Sequence, residues 1–226
     1  LVQEHAVYGG MVEAMDLAVG EVLDALERLG LAEDTVVIFM SDNGGLSTSE
    51  GHPTSNLPLR AGKGWIYEGG IREPMVIRWP GVTDPGTVCD EPVTSTDFYP
   101  TMLEMAGLPL RPEQHLDGVS LVELLEEGEA PAREAIYWHY PHYGNQGSAP
   151  AGAVRAGDWK LIEWYEDGAL ELYDLSTDIG EAKDLAGEHP ERAKELHAKL
   201  VAWRAETGAR MSSENPGFDP EKRAGR

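Results

Sequence analysis

The run Met40-Ser41-Asp42-Asn43-Gly44-Gly45 joins side chains that can hold a metal to backbone that can turn tightly. Asp42 offers a carboxylate and Asn43 an amide carbonyl. Such hard oxygen donors suit Ca²⁺ or Mg²⁺ rather than a thiophilic metal. Gly44 and Gly45 allow a sharp turn and leave room for a ligand. Asp-Asn-Gly is also an ordinary turn sequence, so the motif alone leaves a plain turn open as the alternative. A second segment comes after it, "LPLRAGKGWIYEGGIREPMVIRWPG" from Leu57 to Gly81. In it Lys63 stands between two glycines, an ammonium on a flexible support suited to a compact anionic group, with a solvated loop lysine as the alternative. Arg72 fits a brace that pairs with a carboxylate. His52 and Arg60 flank the two segments, but nothing specific singles them out.

These residues need elements to position them. Val7, Met11, Met15, Ala18, Val22, Leu26 and Leu29 recur at three- and four-residue spacing, which predicts an amphipathic helix from about Ala6 to Leu29 with its stripe in the core. Gly30 follows where a helix ends. Thr35 to Met40 is an unbroken apolar run rich in β-branched residues, expected as a central strand covered on both faces, as in a parallel sheet. The Asp42 motif then lies beyond the carboxyl end of that strand, where open α/β sheets bind ligands. "PMVIRW" from Pro74 to Trp79 reads as another strand. Thr96 to Gly107 reads as a short helix with Thr96 as N-cap and Pro100 in its first turn.

The texture changes after about Glu134. "AIYWHY", "GAVRAGDWKLIEW" and "ALELYDL" predict an antiparallel meander with a hairpin at Gly157-Asp158. His139 and His142, in "WHYPHYG", are placed on a loop after a strand. They read either as a pocket wall contacting substrate or as packing. A second amphipathic helix is expected from about His189 to Ala205, followed by a loosely held tail. The division expected is 1–133 for an α/β part, 134–210 for an antiparallel subdomain with its helix, and 211–226 for the tail.

Composition narrows the partners. The 226 residues carry a formal net charge of -22, which repels nucleic acid and anionic membranes and leaves any anionic substrate to local cations. No run of about 18 apolar residues is present, so no membrane insertion is expected. Cys89 is the sole cysteine, so no intrachain disulfide can form, and a structural thiol is its expected role.

The order of the helix, "TVVIFMSDNGG", "LRAGKG" and "EGGIREPMVIRWPG" closely resembles the sulfatase family of the alkaline-phosphatase superfamily. "TSTDFYPTMLEMAGLPL", "LDGVSLVELL" and the aromatic segments after Glu134 look like the next segments in the order of these enzymes, so the resemblance covers nearly the whole chain. It implies an α/β fold: part of an alkaline-phosphatase-like sandwich with a mainly parallel sheet, plus a small C-terminal antiparallel sheet packed by a helix. It implies hydrolysis of a sulfate monoester on a small molecule or glycan, with Asp42 and Asn43 among the ligands of a Ca²⁺ ion (Mg²⁺ being the variant) and Lys63 contacting the sulfate. The family is commonly periplasmic, secreted or lysosomal.

The family's nucleophile is a formylglycine made from the Cys or Ser of a C/S-x-P-x-R signature in the N-terminal half. Cys89 fails that signature because Pro92 comes one position late. "SAPAG" fails it because Gly152 stands where Arg is required. The paired aspartates and the upstream lysine and histidine of the family have no counterpart, and His5 is not that histidine. The resemblance therefore implies a C-terminal portion whose partner is a missing N-terminal half. Such a chain is expected to be inactive alone and to expose the edges of the strand at 35–40. The rivals are a phosphodiesterase or phosphonate hydrolase of the same superfamily and a pseudoenzyme that binds an anion or carbohydrate without catalysis.

Overall fold

The computed structural model describes residues 4–213 and 215–217. Of the tail expected over 211–226, position 214 and positions 218–226 lie outside the described residues. Helix α1 spans Ala6–Arg28, with the His5 ring nitrogen accepting from the Tyr8 amide at its start and Gly30 in the left-handed region (φ 69°) at its end. The helix forms as the periodicity predicts, but its stripe is not core. No residue of α1 is buried, and Met11 and Val22 are 64% and 60% exposed. An amphipathic face is buried only when another element covers it, and the described residues leave the whole stripe exposed except Leu26, which is half-buried.

Strand β1 (Val37–Met40) pairs antiparallel with β2 (Met75–Arg78), setting Met40 opposite Met75 and Val37 opposite Arg78. The expectation of a strand covered on both faces is not met. β1 is half-buried, and the partners Phe39 and Val76 are both exposed on one open face. Arg78 ties the base of the pair to the preceding turn through Ala32 O at 2.7 Å and Glu33 Oε1 at 3.1 Å. No parallel pairing occurs among the described strands. Helix α2 (Glu68–Ile71) is one turn just before β2.

Helix α3 (Phe98–Met105) is entered through a 3-10 turn whose N-cap is Thr94, not the expected Thr96. Asp97 decides this. It closes a capping box with Thr94, accepts from the Val119 amide at 3.1 Å, and takes both guanidinium nitrogens of Arg133 at 2.8 and 2.7 Å. Helix α4 (Val122–Glu127) ends at Gly128 in the left-handed region. No helix among the described residues is long and apolar enough to cross a membrane.

The C-terminal sheet has the order β3-β4-β5-β6, all antiparallel, with β3 Ile136–Tyr140, β4 Ala151–Ala156, β5 Trp159–Trp164 and β6 Leu170–Asp174. Gly157 at φ 59° makes the predicted two-residue hairpin between β4 and β5. Alternation then divides the sheet into two faces. Val154, Leu161 and Leu172 pack on Ala193, Leu196 and Leu200 of helix α5 (Pro190–Glu206). Ala153, Ile162 and Tyr173 pack on Ile66 and Tyr67, so the Lys63 segment covers the opposite face. Glu163 secures α5 through Arg204 at 2.7 Å and His197 at 3.2 Å, and Tyr137 stacks on Trp203 at 5.0 Å.

Two substitutions separate the buried and the open helix. Leu196→Ala, at a residue with no exposure, is expected to cost about 2–5 kcal/mol. Met11→Ala is expected to change stability by less than about 0.5 kcal/mol. Urea unfolding of the chain measures both, and comparable costs would contradict the open placement of α1.

Candidate functional site

The Asp42 turn and the Lys63 loop meet through backbone. Ser41 N donates to Pro74 O at 3.2 Å as β1 ends, and Ser41 Oγ donates to Asn43 O at 2.9 Å. Gly44 N then donates to Gly70 O and Lys63 N to Gly45 O, each at 3.2 Å. The approach is too close for side chains. A Cβ on Gly44 would lie 1.8 Å from Gly69 O, and one on Gly62 would lie 2.3 Å from Gly45 O. Asn56 completes the junction, accepting from Gly45 N at 3.0 Å and donating to Gly45 O at 2.8 Å and Ala61 O at 2.9 Å. No motif in the sequence marks Asn56; its signal is its place between the two segments it joins.

The junction leaves the predicted groups at the surface. The Asp42 and Lys63 side chains are exposed and Asn43 is half-buried. Next to Asp42, burial and the Asp42 charge push the Glu73 carboxyl up to about 7, and its Oε1 is buried without a hydrogen-bond partner. A cation at Asp42 would offset the charge that Glu73 feels from it, and the donor chemistry of Asp42 and Asn43 fits a hard divalent ion. The donor number is incomplete. No group of three or more His, Cys, Asp or Glu side chains among the described residues could hold a metal, whereas Ca²⁺ takes about 6–8 oxygens. A cleft of about 870 Å³ lined by Ile71, Glu73, Leu121 and Trp138 borders neither Asp42 nor Lys63.

The two histidines separate. His139 lies within β3 rather than on the loop after it. Its Nδ1 meets Tyr165 OH at 2.8 Å and its Nε2 meets Arg210 O at 2.9 Å, so both ring nitrogens have protein partners. His142 is exposed on the β3–β4 loop, edge-on to Tyr140. That loop reaches the Lys63 segment. Gln146 O accepts from Trp65 Nε1 at 3.0 Å, and the Gln146 side chain rests where a Cβ on Gly64 would stand, 2.8 Å from its Oε1. Asn145 also donates to Glu50 at 2.8 Å. Gln146 and Asn145 are rim residues that sequence reasoning passed over.

Behind the loop lies a buried ionic cluster that the sequence did not reveal. Lys160, fully buried on the loop-facing side of β5, sits 3.0 Å from Glu68 Oε1 and 2.8 Å from Glu181 Oε1. Arg155 lies 3.6 Å from Glu68 Oε2, and Arg72 lies 4.0 Å from the same oxygen, the carboxylate brace expected for it. Glu181 Oε2 accepts from Glu68 N at 2.6 Å. Burial pushes the Glu181 carboxyl up, against the opposing pull of the Lys160 ammonium and the Glu68 amide. Arg60 crosses the Tyr67 ring at 3.8 Å and donates to Tyr173 OH at 3.0 Å and Glu181 O at 2.8 Å.

Glycine substitutions test the junction. Gly44→Ala is expected to destabilise by about 1–3 kcal/mol or more, because backbone must move to admit the methyl. Gly20→Ala, in α1 with nothing within 4 Å of the new Cβ, is expected to stabilise by about 0.5–1 kcal/mol. Denaturant midpoints of the two variants check the opposite signs.

Comparison with known proteins identifies the family and the fold. The model for N-sulphoglucosamine sulphohydrolase, C-terminal, matches residues 61–206, and the sulfatase model matches residues 2–108. A sulfatase of Formosa agariphila is 40% identical over 88% of this chain, which spans 39% of that protein. Steryl-sulfatase of Homo sapiens is 40% identical over 61% of this chain and 24% of its own length. Among solved structures, Ps i-CgsB in complex with k-i-k-neocarrahexaose superposes with a TM-score of 0.79 at 30% identity, over 90% of this chain and 44% of that one. The structure of BT4656 with its substrate D-glucosamine-2-N,6-O-disulfate gives a TM-score of 0.73 at 30% identity, over 87% and 39%. The chain thus spans less than half the length of each of these relatives. With both family models matched in sequence order and the fold shared, it belongs to the sulfatase family of the alkaline-phosphatase superfamily.

Proposed function

We propose that the chain forms one wall of the active site of a sulfuric ester hydrolase acting on a sulfate monoester. The observation that supports this reading is the backbone junction, in which Lys63 N donates to Gly45 O, so that the main chain of Lys63, an exposed residue, lies against the turn that carries Asp42 and Asn43. Asp42 and Asn43 would hold Ca²⁺, or Mg²⁺ in its place, through hard oxygen donors. When bound, the ion supplies positive charge to offset the sulfate oxygens. Lys63 presents a compact charge with three donors to a sulfate oxygen, and its pull strengthens as negative charge develops there. The local cation matters in a chain of net charge -22, whose overall field opposes an anion. The nucleophile is the family's formylglycine, contributed by residues outside this chain.

The substrate is a sulfated glycan or sulfated small molecule. Support comes from Ps i-CgsB, which binds a neocarrahexaose, and from BT4656, whose substrate is a glucosamine disulfate. The β3–β4 loop would meet the part of the substrate beyond the sulfate. It places exposed His142 on a segment packed against Gly64 and Trp65, while His139, held by Tyr165 and Arg210, shapes the wall from behind.

In the intact protein, Lys63→Ala is expected to lower kcat/KM for an aryl sulfate by about 10- to 150-fold, the loss of one charge-assisted hydrogen bond. EDTA should abolish turnover and Ca²⁺ should restore it. Unchanged kinetics in both experiments, or faster cleavage of the matching phosphate ester, would contradict the assignment. The purified 226-residue chain is expected to show no turnover of the same ester, and metal-dependent hydrolysis by it would overturn the division of the site.

A further inference from the structure

One buried residue holds both ends of the segment that carries Lys63. Glu181 has no exposed surface, and its two functional ends point to different places. Its carboxylate Oε2 accepts from Glu68 N at 2.6 Å, at the far end of the loop. Its backbone carbonyl accepts from Arg60 Nη1 at 2.8 Å, at the near end. Between those ends, Gly69 N donates to Arg60 O at 2.9 Å and closes the loop on itself. We propose that Glu181 is a clasp that positions the Lys63 loop, with Lys160 as its buried counter-charge, so that the C-terminal sheet sets the geometry of the sulfate site. The consequence for sulfate rests on the function proposed above; the clasp itself does not.

The surroundings hold Glu181 in an unusual state. Its φ of 50° is one that side-chain-bearing residues rarely adopt, and the turn that enforces it is pinned by Asp178, whose Oδ2 accepts from Ala182 N at 2.8 Å and Lys183 N at 2.9 Å. A buried carboxylate at a strained position persists when surrounding contacts over-determine it. Here they do: Lys160 Nζ lies between Glu181 and Glu68, and Arg155 approaches the other oxygen of Glu68. Two carboxylates thereby meet two cations drawn from neighbouring strands. Arg155, Lys160 and Tyr173 form one cross-strand row, in which Lys160 is the register partner of both. Each of the three contacts the loop or its clasp: Arg155 and Lys160 through Glu68, Tyr173 through Arg60. Glu181 is a positioning residue, since it touches Glu68 and Arg60 and acts on Lys63 only through them.

Hydrogen exchange on the intact protein tests the clasp without requiring turnover. Glu181→Ala is expected to speed exchange of the amides in 60–70 at least tenfold while the amides of β5 keep their rates. Glu181→Gln retains an acceptor for Glu68 N and should keep most of the protection. Arg60→Met removes the second grip and should give the same local pattern, which serves if Glu181→Ala does not fold. On an aryl sulfate, kcat/KM should fall about tenfold in Glu181→Ala and recover in Glu181→Gln. Unchanged exchange in 60–70, or β5 amides accelerating in step, would overturn the proposal. If the wild-type protein cleaves no sulfate ester, the functional reading fails and the exchange pattern still decides the clasp.

Discussion

Two stretches of backbone approach so closely in this chain that neither Gly44 on one side nor Gly62 on the other can carry a side chain. Gly44 and Gly45 on one side meet Gly62, Gly69 and Gly70 on the other, with main-chain hydrogen bonds across the gap and the Asn56 amide sealing its edge. This contact sets where the Asp42 turn and the Lys63 loop stand relative to one another. It also explains Gly44 and Gly62, where a Cβ would meet a carbonyl across the gap, while Gly69 and Gly70 are required by carbonyls of their own loop, Arg60 O and Trp65 O. The antiparallel pairing of β1 with β2 feeds both turns to the same end of the ladder, where Ser41 N reaches Pro74 O.

The C-terminal sheet supports that contact from behind. One face is an ordinary apolar seat for α5, with Leu161 and Leu172 against Leu196 and Leu200. The other carries charge and aromatic rings toward the loop, and it is the loop that buries them. Isolated buried charges cost several kcal/mol each, so this face is tolerable only because Lys160, Glu68, Glu181 and Arg155 meet one another there. Tyr67 and Tyr173 add an oriented shell, both hydroxyls donating to Glu171 Oε2 at 2.8 Å. The C-terminal sheet therefore packs against the motif loop on one face and against α5 on the other.

Much of this was legible in the sequence where local pattern decides structure. The period of α1, the hairpin at Gly157, the meander and α5 all come from apolar spacing and turn chemistry. The glycines of Asp-Asn-Gly-Gly and Gly-Lys-Gly made tight backbone at both segments legible, whereas the roles of Asp42, Asn43 and Lys63 rest on the family resemblance. Long-range facts were not legible. Lys160, alternating with Leu161, reads as the solvent side of an amphipathic strand, and only the loop laid over it makes it buried. Glu181, in "DIGEAKDLA", reads as a turn residue, and nothing local announces its φ or its partners. The α1 stripe reads as core because periodicity reports which face seeks burial, not whether a neighbour provides it. The N-cap at Thr94 is a local matter instead: Thr94-Ser95-Thr96-Asp97 has capping-box spacing, and it competes with Thr96 for the same turn.

In the proposed site, Asp42, Asn43 and Lys63 face one bound sulfate across one cation. A crystal structure of the intact protein with Ca²⁺ and a sulfate ester tests it most directly. Oxygens of Asp42 and Asn43 are expected on the ion at about 2.3–2.6 Å, with Lys63 Nζ within about 2.7–3.2 Å of a sulfate oxygen. An ion ligated without either residue, or a sulfate bound with Lys63 turned to solvent, would contradict it.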